Sequence, residues 1–149
     1  MITRRATLGF LAATPFLSSR AMAATAEIFA VDNVAIRGAD PVAFFTQAEA
    51  IIGSAQHSLM WKGAVWHFAS AENRAAFEAD PMKYAPQYGG YCAFAMSKGA
   101  IASSVPEAWT VYEGKLYLNY STNVRSIWIK DIPGNVAKAD ANWPSILQS

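Results

Sequence analysis

The chain is predicted to be a single small α+β domain, in which antiparallel hairpins pack against several short helices. Strand-like segments rich in apolar residues flank two-residue turns at residues 62–63 and 113–114, which is the pattern of a β-hairpin. Short helical segments follow the capping residues Ser70 and Ser121. A hydrophobic fraction of 53% in 149 residues is enough for one core without disulfides.

The first elements lie in residues 34–52. Residues 34–36 form a short strand that ends in a turn. Asp40 and Pro41 begin a helix, because aspartate caps free backbone N–H groups and proline fits the first helical position. That helix is predicted to cover residues 42–45, and residues 51–52 form another brief extended segment.

Residues 58–68 are predicted to form the first hairpin. Alternation in its second strand places Trp66 on one face and His67 on the other. Ser70 caps the helix that follows, and the Asp-Pro pair at residues 80–81 ends this helix and begins another short one. The remaining elements are predicted in this order: a helix at residues 91–96, a loop at residues 101–106, a hairpin at residues 109–119, a helix that Ser121 begins and Pro133 breaks, and a last short helix from Asn135.

The N-terminus has the three parts of a cleaved export signal. Arg4 and Arg5 precede an apolar run at residues 8–17, and a small-x-small cleavage site follows at residues 21–23. Paired arginines favour the twin-arginine route over the general secretory route, which stays open as the alternative. The sequence therefore predicts a signal peptide at residues 1–23 and a periplasmic or secreted protein.

The domain that remains, residues 24–149, has no basic character. Of the 12 basic residues, Arg4, Arg5 and Arg20 lie in the signal, which leaves 9 basic against 11 acidic residues, a net charge of −2. No basic stripe suggests a nucleic-acid partner, and no second apolar stretch suggests a stable membrane span after cleavage. We expect a small ligand or a metal ion as the partner.

Cys92 is the only cysteine, so an exported chain cannot form an internal disulfide with it. Four roles stay open: a core residue, a soft metal ligand, a reactive thiol, or half of an intermolecular bridge. On the predicted helix, Cys92 and Met96 are four residues apart and share a face. A thiolate with a thioether suits copper(I), and His57 or His67 would complete a metal site with them.

A reactive thiol is the second hypothesis for Cys92. Gly89 and Gly90 are expected to place the cysteine in the first turn of a helix, where the backbone dipole favours a thiolate. No second cysteine is present to resolve an oxidised form. The tyrosines of this region, among them Tyr88 and Tyr91, are candidates to line a pocket for a small apolar or aromatic ligand.

Residues 66–84 resemble the core of the YHS domain: an aromatic strand, a helix capped by Ser70 that carries Phe77, and then Pro81 and Tyr84. The flanking segments resemble an exported bacterial branch of YHS domain-containing proteins, and they are residues 37–45, 87–93, 114–120 and 131–135. The resemblance implies a YHS-like α+β fold and an association with metal, but no settled activity.

The chain departs from the metal-linked members of that family at two positions. Where those members carry cysteines at the strand-to-helix corner, this chain has Ala69 and Asn73, and alanine cannot bind a metal. Some members of the exported branch are labelled selenoproteins, which would make Cys92 the candidate redox position here. The sequence therefore predicts an exported binding or accessory domain rather than an enzyme, with a copper ion near Cys92 as the leading ligand. A thiol-based redox protein and an interaction domain with a structural cysteine are the alternatives.

Overall fold

The computed structural model describes residue 9, residues 12–15 and residues 24–149. The predicted signal at residues 1–23 lies outside the described residues, apart from residue 9 and residues 12–15. Among the described residues, no helix is both long and apolar enough to cross a bilayer. Two small sheets and several short helices make up the domain, which confirms the predicted α+β class.

The larger sheet has four strands in the order β1-β2-β4-β3, and the smaller one pairs β5 with β6. Sequential neighbours pair antiparallel, as predicted for hairpins. The short β2 pairs with β4 in parallel, through Val34 opposite Val65, which the prediction of antiparallel pairing did not include. The strands are β1 (Ala30–Val31), β2 (Val34–Ala35), β3 (Ser54–Trp61), β4 (Ala64–Phe68), β5 (Val105–Tyr112) and β6 (Lys115–Asn119).

The helices are short and cover the faces of these sheets. Ser70 Oγ accepts from Asn73 N at 3.1 Å, and Ser121 Oγ accepts from Val124 N at 3.1 Å, which confirms both predicted caps. The helices are α1 (Ala43–Thr46), α2 (Ala71–Ala79), α3 (Pro81–Tyr84), α4 (Ala93–Ser97), α5 (Thr122–Trp128) and α6 (Ile132–Asn142).

The β3–β4 hairpin turns at Lys62 and Gly63, whose φ angles are both positive, 48° and 77°. This is the two-residue turn whose twist matches that of paired strands. The alternation that follows is as predicted: Trp66 and Phe68 are fully buried, while His67 is half-buried on the opposite face. His67 is thereby kept out of the core that the tryptophan enters.

Several sequence-based boundaries are wrong. The first hairpin begins at Ser54 rather than at residue 58, and the short strand β2 ends at Ala35 rather than at residue 36.

Three further differences concern later parts of the chain. Residues 101–106 are not all loop, because β5 begins at Val105 and contains a register shift before Trp109. Pro133 does not break a helix; it lies in the first turn of α6, where its missing N–H costs nothing, and Asp131 Oδ1 caps that turn. Helix α4 begins at Ala93 rather than at Tyr91.

The apolar interior consists of two clusters. The first is built around Trp66, Phe68 and Phe77, between the larger sheet and α2. The second contains Tyr117 and Trp128, whose ring centroids are 5.2 Å apart, and it also includes residues from α4 and α6. Cys92 therefore lies next to the second cluster, whereas both histidines belong to the larger sheet.

Candidate functional site

Cys92 precedes α4 as its N-cap residue, rather than lying inside its first turn as predicted. The side chain is 1% exposed. Its Sγ accepts a hydrogen bond from Ala95 N at 3.4 Å and donates to Asn119 Oδ1 at 3.6 Å. The sulfur thus satisfies one of the free N–H groups at the start of the helix, a role that a capping side chain performs in any fold.

Met96 is fully buried and packs into the second cluster. Its backbone N–H donates to Cys92 O at 3.0 Å, as the four-residue spacing on a helix requires. Asn142 Nδ2 donates to Met96 O at 2.8 Å and fixes the end of α4 against α6. The structure therefore brings Cys92 and Met96 together, but in a sealed interior position.

His57 and His67 lie on β3 and β4, and each is half-buried. The hydrogen bonds of the Cys92 sulfur go to Asn119 and Ala95, so neither imidazole is a partner of the thiol. Among the residues that the structure describes, no group of three or more histidine, cysteine or acidic side chains has a geometry that would hold a metal ion. The four predicted ligands are thus divided between one buried element, α4 with its N-cap, and two strands of the larger sheet.

Asn119 is a partner of Cys92 that the sequence reasoning missed. Its side chain is fully buried, and Oδ1 accepts from Phe94 N at 3.0 Å as well as from the thiol. Its Nδ2 and the indole N–H of Trp128 have no hydrogen-bond partner among the described residues. Asn119 ends β6 directly after three consecutive buried apolar residues, and that position was the available signal of a buried amide.

The strand-to-helix corner holds Asp40 instead of a pair of thiolates. Asp40 is fully buried, and its Oδ2 accepts from Asn73 Nδ2 at 2.7 Å and from Ala69 N at 2.8 Å. Its Oδ1 accepts from Val42 N at 2.9 Å. Ala69 and Asn73 stand where the metal-linked YHS members carry cysteines. The Asp40 carboxylate joins these two residues by accepting from the Ala69 backbone and the Asn73 amide.

Tyr91, one of the two predicted pocket residues, is buried, and its hydroxyl donates to Ala26 O at 2.7 Å. Burial raises the pKa of this phenol. The ring contacts Phe29 and Trp143, with centroids 5.7 Å and 6.5 Å away. Tyr91 lies outside the cleft that Tyr88 lines, and its hydroxyl ties it to residue 26 near the start of residues 24–149.

Tyr88, the other predicted pocket residue, lines a cleft of about 80 Å³. Its hydroxyl donates to Asp140 Oδ1 at 2.9 Å, and both burial and this carboxylate raise the pKa of the phenol. Trp61 and Trp143 also line the cleft, and the rings of Tyr88 and Trp143 meet edge to face at 6.2 Å. We call this the aromatic cleft, and it is defined by Trp61, Tyr88 and Trp143 together with Glu27 and Lys62.

The aromatic cleft has one cation and one anion at its wall. Lys62 Nζ lies 4.9 Å from the centroid of the Trp61 ring and 2.7 Å from Glu27 Oε1. The two charged side chains remain 35% and 48% exposed. Sequence reasoning found Tyr88 but missed Lys62 and Glu27, because 35 residues separate them and only the fold brings them together.

The backbone below the cleft requires glycine. Tyr88 and Gly89 both have left-handed φ angles, 58° and 63°. A Cβ atom on Gly89 would overlap the carbonyl group of Glu27. The absence of that Cβ allows the chain at residue 27 to lie directly on the loop, where Phe29 N donates to Gly89 O at 2.9 Å.

No family model, no curated protein and no solved structure matches this chain. The resemblance to YHS domains therefore stays a prediction.

Proposed function

We propose that this chain is a small binding domain, without catalytic activity of its own, that binds a small organic cation in the aromatic cleft. The observation that carries the proposal is the position of Lys62, whose ammonium group lies on the face of Trp61 and is paired with Glu27. The protein's own cation occupies the position that a cationic ligand would take.

The attraction has two physical sources. An aromatic face attracts a cation with about 0.5–1 kcal/mol at an exposed site and about 2 kcal/mol or more where water is excluded. Trp61, Tyr88 and Trp143 supply three rings, and Glu27 supplies the compensating charge. Alkylated ammonium groups gain the most binding free energy at such a site, because transferring them from water to aromatic rings costs little hydration free energy.

The size of the aromatic cleft limits the ligand. A volume of about 80 Å³ accommodates a compact group rather than a drug-sized molecule. The exposed Met82 adds a flexible, polarisable wall at the same cleft. A tetraalkylammonium or methylated amine group is the class that fits both the charge and the size.

Burial favours a structural role for Cys92 over a role as copper anchor or redox nucleophile. A metal ion or an oxidant reaches a thiol only through an opening, and Cys92 is 1% exposed. Its sulfur is already engaged in two hydrogen bonds. The copper site that the sequence predicts would require α4 to separate from β6, and the rate at which a thiol reagent modifies Cys92 tests whether it does.

The binding proposal is tested with tetramethylammonium chloride, using NMR signals of the indole N–H groups as reporters. We expect the Trp61 and Trp143 signals to shift with saturation, while the Trp128 signal in the second cluster stays in place. Sodium chloride at the same ionic strength is the control for salt effects.

Glu27→Gln should weaken the binding of tetramethylammonium about three- to tenfold, since it removes the charge that faces the cation. Glu49→Gln removes a carboxylate from an exposed loop residue outside the cleft and should leave the affinity unchanged. The proposal is wrong if no indole signal saturates, or if the two variants bind the cation equally.

A further inference from the structure

A second groove lies on the side of the larger sheet that faces away from the buried residues of β4. It has a volume of about 330 Å³ and is wide open to solvent. We call it the sheet groove, and its lining includes Val34, Arg37, Gly38, Ile52, His67 and Asp32. It combines an apolar wall with two nitrogen-bearing side chains, and it shares no lining residue with the aromatic cleft.

The guanidinium group of Arg37, a residue that lines this groove, is held by two contacts. Its Nε donates to Ser104 O at 2.8 Å, and its guanidinium carbon lies 5.5 Å from the centroid of the Phe29 ring. The backbone of Ile36 and Arg37 is left-handed, with φ angles of 43° and 58°, a conformation that is costly for a β-branched residue. The Ser104 bond uses Nε, and among the described residues no hydrogen bond engages the two terminal nitrogens. These nitrogens can bind a carboxylate in the bidentate manner that guanidinium groups favour.

His67 lines the same groove, and Gly53 leaves room for its strand. A Cβ atom on Gly38 would lie 3.5 Å from His67 Nδ1, and one on Gly53 would overlap the backbone of His67 and Phe68. The imidazole is half-buried and supplies a second hydrogen-bond donor at the groove. Arg37 and His67 therefore offer donors to an anion from two different elements.

Asp32 limits the negative charge of a ligand that the groove can bind. Asp32 also lines the groove. Among the described residues, the ion pair is that of Lys62 with Glu27, so the Asp32 carboxylate forms no salt bridge with Arg37 or His67. One guanidinium charge, with a carboxylate nearby, favours a monoanion over a dianion. The exposed side chains of Ile52 and Val31 offer apolar surface for a short hydrocarbon chain.

We infer that the sheet groove binds small monocarboxylates with a short apolar chain, with the carboxylate on Arg37 and His67 and the chain on Ile52 and Val34. This inference does not depend on cation binding in the aromatic cleft.

The test is a titration with sodium hexanoate, followed by backbone amide signals in NMR. Signals of Val34, Gly38 and His67 should shift with saturation, and hexan-1-ol, which has the chain without the charge, should bind at least about tenfold more weakly. Arg37→Gln should reduce hexanoate affinity about tenfold, whereas Arg74→Gln, an exposed arginine on α2, should leave it unchanged.

Each outcome decides the inference. Equal binding of hexanoate and hexan-1-ol, or equal affinities of the two arginine variants, would overturn it. If Arg37→Gln does not fold, the comparison of hexanoate with hexan-1-ol on the unmodified chain still decides. Hexanoate shifts at the Trp61 indole instead of at Val34 would also overturn it.

Discussion

At the scale of the residue, the buried Cys92 side chain is the cap of a helix. In the sequence, Cys92 is the only cysteine and Met96 follows four residues later, a pattern that favours a metal-ligand role for the thiol. In three dimensions the sulfur caps α4 and binds Asn119, so its polar contacts are made within the protein. The sequence does not show that Cys92 and Asn119 meet, because Asn119 lies 27 residues away on β6.

The native protein should protect Cys92 from thiol reagents. Because the sulfur is buried, we expect Ellman's reagent to react at least about 100-fold more slowly with folded protein than with protein in urea, at a rate set by opening of the fold.

Copper(I) should likewise bind wild-type protein and Cys92→Ala equally. Fast modification of folded protein, or copper binding lost in the variant, would restore the metal or redox hypotheses.

Tyr88 gives the folded protein a sensitivity to alkaline conditions. Its pKa is raised by burial and by Asp140, so above about pH 10 the unfolded chain releases the phenol proton while the folded chain retains it. The free energy of unfolding should therefore fall as the pH rises through this range. Urea denaturation at about pH 8 and about pH 10.5 measures the loss.

Tyr88→Phe should make that loss smaller, because no phenol remains to titrate at this position. Tyr120→Phe, which replaces an exposed phenol, serves as the control and should lose stability as wild type does. The interpretation fails if the Tyr88 and Tyr120 variants have the same pH dependence.

At the scale of elements, local chemistry predicted the structure where it acts within a few residues. The caps Ser70 and Ser121 and the two-residue turn at Lys62 were found because each depends on its immediate neighbours. The parallel contact of β2 with β4 was missed because Val34 and Val65 are 31 positions apart. Pro133 was misassigned because proline ends one helix and begins another with equal ease, and only the cap by Asp131 decides between them.

Asp40 should be the most sensitive polar residue of the described domain. Asp40→Asn places an NH₂ group against the donors of Ala69 and Asn73, so we expect the free energy of unfolding to fall by about 2–4 kcal/mol. Asn73→Ala removes only one of these donors and should cost about 1–2 kcal/mol. Urea denaturation measures both, and an equal or smaller effect of Asp40→Asn would show that the corner does not depend on this carboxylate.

At the scale of the whole molecule, the candidate binding surfaces are made by residues far apart in the chain. The aromatic cleft joins Glu27, Lys62, Tyr88 and Trp143, and of these only Tyr88 stood out in the sequence, from the density of tyrosines around it. Composition and turn chemistry were sufficient for the α+β class. They were insufficient for the site, because long-range packing decides which charged side chain meets which ring.

The central claim is that Lys62 occupies the place of a cationic ligand, and one pair of variants tests it most directly. Lys62→Met keeps an unbranched side chain in the left-handed turn but removes the competing ammonium group. Lys83→Met removes an ammonium that lies 5.2 Å from the ring of Tyr84, outside the cleft. In a tetramethylammonium titration we predict that Lys62→Met binds about tenfold more tightly than wild type and that Lys83→Met binds as wild type does. An unchanged or weaker affinity of Lys62→Met would contradict the account.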